Sequence, residues 1–198
     1  MTPPAPPFQL VIFDMDGTLI EQMLDFQAIR RHLGIAQDEG ILEALQAMSS
    51  DHRRDAEEWL IRTEREATAR ANLMPGAIET LAKIRTANIK TALLTRNTRA
   101  SMQTVIEKFD LQFDLAWSRE DGPIKPEPDS ILKACSLLGA DPKRTACVGD
   151  FEYDIQAANA AGALSILITS DLRQRPQFAD TADQIITKLS QLPTLLEI

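Results

Sequence analysis

The end of the first apolar run places two carboxylates side by side. In FQLVIFDMDGTLI (residues 8–20), Asp14 and Asp16 follow a segment that is otherwise suited to burial. Ionised carboxylates beside an apolar core are costly unless a positive partner neutralises them. A single Asp would be enough to cap a turn. Two acids followed by a Gly and a Thr are better suited to hold a metal ion and a phosphate group.

A second pair of acids follows a later apolar run. VGDFEYD (residues 148–154) places Asp150 at the end of that run and Asp154 near the start of a predicted helix. An N-cap role explains one of these acids but not both. Oxygen ligands of this kind select Mg²⁺ over zinc. The two acidic pairs together predict a Mg²⁺ site.

Two further segments carry groups that attract anions. In LLTRN (residues 93–97), the hydroxyl of Thr95 and successive backbone N–H groups could bind an anion where a helix begins, although a plain strand end explains this segment better by itself. In GPIKPEPDSI (residues 122–131), prolines flank Lys125 and hold it in an extended loop. An exposed loop lysine and a cation that neutralises phosphate and carboxylate together explain this segment equally well.

The elements that must position these groups are apolar strands alternating with amphipathic helices. After the first run, strands are predicted at Thr91–Thr95, Phe113–Trp117, Thr145–Gly149, Leu164–Ile168 and Gln184–Ile186. Helices are predicted at Met74–Ala87, Ala100–Phe109, Asp129–Leu138 and Asp154–Ala161. This alternation indicates a doubly wound α/β fold around a parallel sheet. Ligands bind such sheets at the carboxyl ends of the strands, where Asp14, Thr95 and Asp150 all lie.

The segment between the first strand and the Met74 helix has a different pattern. It predicts three helices, over 25–33, 37–48 and 51–71, with little of the β-branched alternation of a strand. The domains expected are therefore a flexible lead (1–7), an α/β core (8–20 and 75–198) and an inserted helical cap (21–74). The cap carries seven arginines and eleven acids, which indicates a largely solvated surface.

Composition narrows the class of partner and the compartment. The 198-residue chain has a formal net charge of −8 and shows no basic stripe, so nucleic acid is not an expected partner. No apolar run is long enough to span a membrane, and MTPPAPP does not resemble a signal peptide. The two cysteines lack CxxC spacing, which favours a reducing compartment. We therefore expect a cytoplasmic protein without a membrane partner.

In their order along the chain, these segments resemble the four motifs of the haloacid dehalogenase (HAD) superfamily. FDMDGTL, KPEPDSI and VGDFEYD are close matches, and the similarity extends from Phe8 to about Ser170. The sequence is similar to the phosphoglycolate phosphatase-like branch, in which a helical cap lies between the first and second motifs. The resemblance implies a Rossmann-like core and Mg²⁺-dependent hydrolysis of a small phosphorylated metabolite.

The resemblance also implies a role for each of the four acids in the first and last motifs. Asp14 would be the nucleophile that becomes an aspartyl phosphate. Asp16 would act as a general acid on the leaving oxygen and then as a base on water, while its carbonyl binds Mg²⁺. Asp150 would complete the protein contribution to the Mg²⁺ shell, with Asp154 bound directly or through water.

By the same resemblance, the cationic and polar groups would hold the phosphate. Thr95 would bind the phosphoryl group with help from the N–H groups of Arg96 and Asn97. Lys125 would bind phosphate and orient Asp14. One or two cap arginines could recognise a substrate carboxylate, so phosphoglycolate is one substrate hypothesis.

Several alternatives compete with a phosphatase. Dehalogenases of this superfamily lack the second motif-one acid, which is present here as Asp16. Phosphonoacetaldehyde hydrolases use a cap lysine, and residues 21–74 contain none. A receiver domain has no helical insertion after its first strand. GxSxG is absent, and both histidines (His32 and His52) fall in the cap. A phosphomutase and a non-catalytic phosphate-binding module remain open.

Overall fold

The computed structural model describes residues 7–170 and 176–198. Of the predicted N-terminal lead, only Pro7 belongs to the described residues. The described chain divides into two compact units, one built from the residues up to Gln22 together with Asn72–Ile198, and one built from Met23–Ala71. The boundaries predicted from the sequence were residues 21 and 74.

The larger unit contains a parallel sheet, as predicted. Within the described residues its strands are β1 (Leu10–Phe13), β2 (Lys90–Leu94), β3 (Leu115–Trp117), β4 (Thr145–Gly149), β5 (Leu164–Ile168) and β6 (Gln184–Ile186). Their order is β3-β2-β1-β4-β5-β6, and every neighbouring pair is parallel. The direction of winding reverses between β1 and β4, which makes this the switch point where such sheets bind ligands. The prediction of a doubly wound α/β fold is confirmed.

Helices connect the strands and cover the sheet. The chain forms α1 (Phe26–Leu33), α2 (Ile41–Ala47), α3 (Ser50–Arg70), α4 (Ala77–Thr86), α5 (Arg99–Lys108), α6 (Asp129–Leu138), α7 (Glu152–Ala161) and α8 (Leu192–Leu195). Alternate residues of β1 point to opposite faces of the sheet. Leu10 and Ile12 pack in one buried cluster with Ile131 of α6 and Ala157 of α7. This packing fixes the loops that follow β1 and β4 on a rigid base.

The smaller unit is helical and has a core of its own. Ile29 of α1, Leu45 of α2 and Leu60 of α3 are buried together. His32 stacks on Trp59, with ring centroids 3.9 Å apart. Within the described part of the chain, no helix combines the length and the apolar character needed to cross a membrane. The 21-residue α3, for example, is dense in charged side chains.

The two chain segments that lead into and out of the helical unit pair with each other. The Glu21 N–H donates to the Asn72 carbonyl at 2.9 Å, and the Met74 N–H donates to the Leu19 carbonyl at 2.8 Å. The pairing explains why α4 begins at Ala77, not at the predicted Met74. Similarly, α2 begins at Ile41 instead of Gln37, because Gly40 keeps an extended backbone as its N-cap. These are corrections to helix boundaries and leave the order of elements unchanged.

Candidate active site

The carboxyl ends of β1 and β4 bring three acids together. Asp14 follows β1, and its N–H donates to the Val148 carbonyl of β4 at 2.9 Å. Asp150 follows β4, and Asp154 lies in the first turn of α7. Each of the three acids offers a carboxylate oxygen within 4.8 Å of the other two. Three convergent carboxylates are a donor set that suits a hard divalent cation such as Mg²⁺.

The ammonium group of Lys125 lies within this acidic cluster. Its Nζ donates to Asp14 Oδ1 and to Asp154 Oδ1, both at 2.5 Å. A third bond reaches the Leu94 carbonyl at 2.8 Å, which accounts for all three donors of the ammonium group. The Lys125 residue is 6% exposed, so these bonds form away from bulk solvent. Lys125 therefore orients one oxygen of Asp14 and one of Asp154.

Burial shifts the acid–base equilibria of the cluster. It raises the pKa of Asp14 to about 7, and the neighbouring charges of Asp154 and Asp16 act in the same direction. Burial also raises the pKa of Asp150 well above its ordinary value. For Lys125, burial alone would lower the pKa, but the two carboxylates outweigh it and the net shift is upward. One ammonium group is thus left to neutralise several acids, and a divalent cation would keep them ionised.

The loop after β2 connects Thr95 to the second acid of the first motif. The Asn97 N–H donates to Thr95 Oγ1 at 3.0 Å. The side-chain amide of Asn97 donates to Asp16 Oδ2 at 2.9 Å. Burial raises the pKa of Asp16, and the Asn97 bond opposes that shift. Asn97 thus uses its side chain to hold an acid, while its N–H, which the sequence predicted to help bind phosphate, donates to Thr95 in this structure.

The family model for haloacid dehalogenase-like hydrolases matches residues 8–162 of this chain. The chain belongs to the haloacid dehalogenase-like hydrolase family. A family member of this kind from Arabidopsis thaliana is 30% identical over 94% of the present chain and 83% of its own length. The prediction of an enzyme of the HAD superfamily is confirmed.

Other relatives of this HAD-like hydrolase carry names for different phosphoryl-transfer reactions. A phosphoglycolate phosphatase of Chromobacterium violaceum is 27% identical over 80% of this chain and 83% of its own. A tyrosine-protein kinase, PtkA, of Mycobacterium tuberculosis is 26% identical over 96% of this chain and 72% of its own. The structure of a hydrolase from Pseudomonas syringae has a TM-score of 0.78 at 20% identity and covers 96% of this chain and 99% of that chain. This last likeness supports the fold.

Arg96 of this HAD-like hydrolase contacts two other segments of the site. One guanidinium nitrogen donates to the backbone carbonyl of Lys125. The guanidinium carbon lies 4.4 Å from the centroid of the Tyr153 ring, one residue before Asp154. The Arg96 carbonyl in turn accepts a bond from Arg119 Nη1 at 3.1 Å. Arg96 therefore lies beside the predicted phosphate-binding residues, and its guanidinium is bonded to protein groups.

Two glycines were missed as site residues. Gly17 adopts φ +76°, and a Cβ there would lie 2.1 Å from Asp150 Oδ2. A Cβ at Gly149 would lie 2.2 Å from Asp154 Cγ. Each glycine leaves space for a carboxylate of the cluster. The signal in the sequence was the Gly within DMDGT and VGD, next to the acids of each motif.

The structure therefore arranges most of the predicted residues in two groups. One consists of Asp14, Lys125, Asp150 and Asp154, which share the acidic cluster. The other is the chain of bonds from Thr95 through Asn97 to Asp16. Asp154 has both oxygens engaged, since Oδ1 accepts from Lys125 and Oδ2 accepts from the Phe151 N–H at 3.1 Å.

Proposed function

We propose that this protein is a Mg²⁺-dependent phosphatase that hydrolyses a small-molecule phosphomonoester through an aspartyl phosphate on Asp14. The contact of Lys125 with both Asp14 and Asp154, beside Asp150, is the observation that carries the proposal. A buried ammonium group next to a carboxylate nucleophile lowers the electrostatic cost of bringing in an anionic phosphate. The three acids also provide the oxygen donors that Mg²⁺ requires.

In the first step, a carboxylate oxygen of Asp14 attacks phosphorus as the bond to the ester oxygen breaks. Asp16 gives its proton to the departing alkoxide, so the alcohol leaves neutral. Lys125 fixes Asp14 Oδ1 and leaves the other oxygen as the attacking atom. Thr95 and the adjacent N–H groups bind the phosphoryl oxygens in this proposal.

In the second step, Asp16 is a carboxylate and takes a proton from water. The water oxygen attacks phosphorus, inorganic phosphate leaves, and the Asp14 carboxylate is restored. Asp16 returns to its protonated state, so the protons balance over the cycle. A pKa raised by burial suits a group that must carry a proton in one step and accept one in the next.

Asp14, the Asp16 carbonyl and Asp150 would hold Mg²⁺ in this proposal. When bound, Mg²⁺ would neutralise charge on the phosphoryl group and orient it for in-line attack. Asp154 would bind the ion directly or through water, and its two oxygens also accept bonds from Lys125 and the Phe151 N–H.

The proposal also concerns the identity of the substrate. A relative named a phosphoglycolate phosphatase and the arginines of the 21–74 segment support a small phosphorylated acid. We also keep the expectation that the helical unit selects the substrate and that the protein is cytoplasmic. The free thiols of Cys135 and Cys147 support a reducing compartment.

A phosphomutase or another transferase is the second candidate, because a relative is named a tyrosine-protein kinase. The same aspartyl phosphate could then pass its phosphoryl group to an acceptor other than water. A non-catalytic phosphate-binding module remains the third hypothesis.

Phosphate release from a panel of phosphomonoesters tests the proposal. The panel should be measured with and without Mg²⁺ for the wild type, for Asp14→Asn and for Asp110→Asn. Asp110 is exposed and lies outside the site, so its variant controls for the loss of one carboxylate. Mg²⁺-dependent release that disappears only in Asp14→Asn supports the phosphatase. Release that persists in Asp14→Asn contradicts it, and transfer to a sugar or protein acceptor without free phosphate supports the second candidate.

A further inference from the structure

Arg96 connects the segment after β2 with two other segments of the site. Its guanidinium donates to the backbone carbonyl of Lys125, in the loop between β3 and α6. It also lies over the ring of Tyr153, in the first turn of α7, at 4.4 Å from guanidinium carbon to centroid. This distance is well within the range of a cation–π contact. The three segments joined in this way deliver Thr95, Lys125 and Asp154.

The backbone of Arg96 is itself held from a fourth position. Arg119 donates to the Arg96 carbonyl through Nη1 at 3.1 Å, and its own N–H donates to the Asn97 carbonyl at 3.2 Å. The Arg96 side chain therefore extends from a fixed backbone. A guanidinium that is anchored at its base and stacked on a ring can hold another loop in place.

Lys125 is the residue that depends most on such support. It lies in a loop outside the strands, and its long side chain must end between two carboxylates and a carbonyl. Fixing a lysine side chain costs conformational entropy, and that cost is greater when its backbone is also free to move. A bond to the Lys125 carbonyl fixes the point from which the side chain starts.

We infer that Arg96 is a positioning residue that holds Lys125, supported by the ring of Tyr153. The inference rests on the proposed phosphatase function, because Lys125 matters through its action on Asp14 and the incoming phosphate. The rival role for the Arg96 guanidinium is direct contact with the substrate, whereas the expected contact of the Arg96 N–H with phosphate is a separate backbone contact. The two roles differ in what they predict, because a positioning residue acts only when the group it positions is present.

A double-mutant cycle between Arg96 and Lys125 separates these roles. Arg96→Ala should lower kcat about 10- to 100-fold with KM changed less than about 2-fold, since misplacing a catalytic group costs turnover. In a Lys125→Met background, Arg96→Ala should change kcat by less than about 2-fold. Arg85→Ala, which removes an exposed arginine in the last turn of α4 that bonds to Gln112, should leave kcat unchanged.

Variants of Tyr153 test the second half of the inference. Tyr153→Leu removes the ring face and should lower kcat in the same direction as Arg96→Ala. Tyr153→Phe keeps the ring face and should lower kcat less than Tyr153→Leu does. The effects of Arg96→Ala and Tyr153→Leu should also fall short of additivity when combined, because both act on one contact.

Three results would overturn the inference. The first is a higher KM with unchanged kcat in Arg96→Ala, which would indicate substrate binding. The second is a loss of kcat from Arg96→Ala in the Lys125→Met background that equals its loss in the wild type. The third is a lower Tm with normal kcat below that temperature, which would indicate a purely structural role. Failure of the proposed function looks different, since wild-type protein would then release no phosphate or Asp14→Asn would remain active.

Discussion

The side-chain amide of Asn97 donates to Asp16 Oδ2 at 2.9 Å. The amide nitrogen of Asn97 can only donate hydrogen bonds, so it fixes Oδ2 of Asp16 and thereby sets the orientation of the whole carboxyl group. Asn97 is 4% exposed, and its Oδ1 accepts from the Thr98 N–H at 3.3 Å, which holds the amide in this orientation. The proposed proton donor is therefore oriented by the loop that follows a neighbouring strand.

Asn97→Ala should slow the hydrolysis of phosphate esters by an amount that depends on the leaving group. An alkoxide needs a proton from Asp16, whereas p-nitrophenolate is stable without one. We expect kcat to fall about 10-fold or more for an alkyl phosphate and less than about 3-fold for p-nitrophenyl phosphate. The loss on the alkyl phosphate is a fraction of the usual contribution of general acid catalysis, because Asp16 is still present. Asn159→Ala, at an exposed asparagine of α7, serves as the control. Equal losses on both esters would argue against an orienting role.

Gly17→Ala should abolish activity because the new Cβ would lie 2.1 Å from Asp150 Oδ2. Gly162→Ala is a matched control, since Gly162 has a similar φ of +73°. Apart from its chain neighbours and its own helix backbone, none of the described residues has an atom within 4 Å of the position that its Cβ would take. The control should lose only about 1–2 kcal/mol of stability from left-handed backbone strain. Turnover and the Mg²⁺-induced rise in Tm should be normal in the control and absent in Gly17→Ala. Normal turnover in Gly17→Ala would mean that Asp150 does not need its present position.

The raised pKa of Asp14 predicts a pH-dependent response to Mg²⁺. Without metal, the folded state binds this proton more tightly than the unfolded state does, so stability falls as pH rises from the unfolded value of 3.8 to about 7. Asp150 acts in the same direction. A cation that binds the ionised acids offsets this loss. The rise in Tm on adding Mg²⁺ should therefore be small near about pH 5 and largest near about pH 8.

Thermal melts at several pH values with and without Mg²⁺ measure this response. In Asp14→Asn the pH dependence of the metal-free protein should be weaker, because one of the titrating groups is gone. An Mg²⁺ effect of the same size at every pH would show that the ion binds elsewhere.

Lys125→Met should destabilise the metal-free protein as well as lower its turnover to a reduced but measurable rate. Removing the ammonium group leaves Asp14 and Asp154 buried without their cation, and breaking a buried ion pair in this way typically costs about 3–5 kcal/mol. Lys90→Met is the control, because Lys90 is exposed and donates to a single carbonyl, that of Leu138. Urea unfolding in EDTA measures the difference. Equal stability of the two variants would contradict the arrangement around Lys125.

Much of the site could be predicted because strand ends converge at one edge of a parallel sheet. Asp14, Thr95 and Asp150 each end an apolar run, so their neighbourhood follows from the fold class alone. The contact of Arg96 with Lys125 joins residues 29 positions apart through loops, and no local pattern specifies how two loops approach each other. The bond from the Asn97 side chain to Asp16 likewise depends on side-chain rotamers that no local pattern specifies.

Helix starts were the other feature that the sequence left open. The apolar spacing before α4 extends to Met74, yet the backbone of Met74 is bonded to Leu19 and Gly76 has a left-handed φ of +84°. The long-range pairing outweighs the local pattern there. Similarly, the Gly of VGD signals a close approach, but the sequence does not show that the group close to Gly149 is Asp154 and not the adjacent Asp150.

Covalent trapping on Asp14 is the measurement that tests the central claim most directly. A phosphate ester labelled at phosphorus is mixed with enzyme and Mg²⁺, quenched in acid within one turnover, and the protein is digested and mapped. We expect a hydroxylamine-labile label on the peptide that contains Asp14, and no label in Asp14→Asn. Rapid phosphate release with no label on Asp14, or turnover retained by Asp14→Asn, would contradict the proposed mechanism.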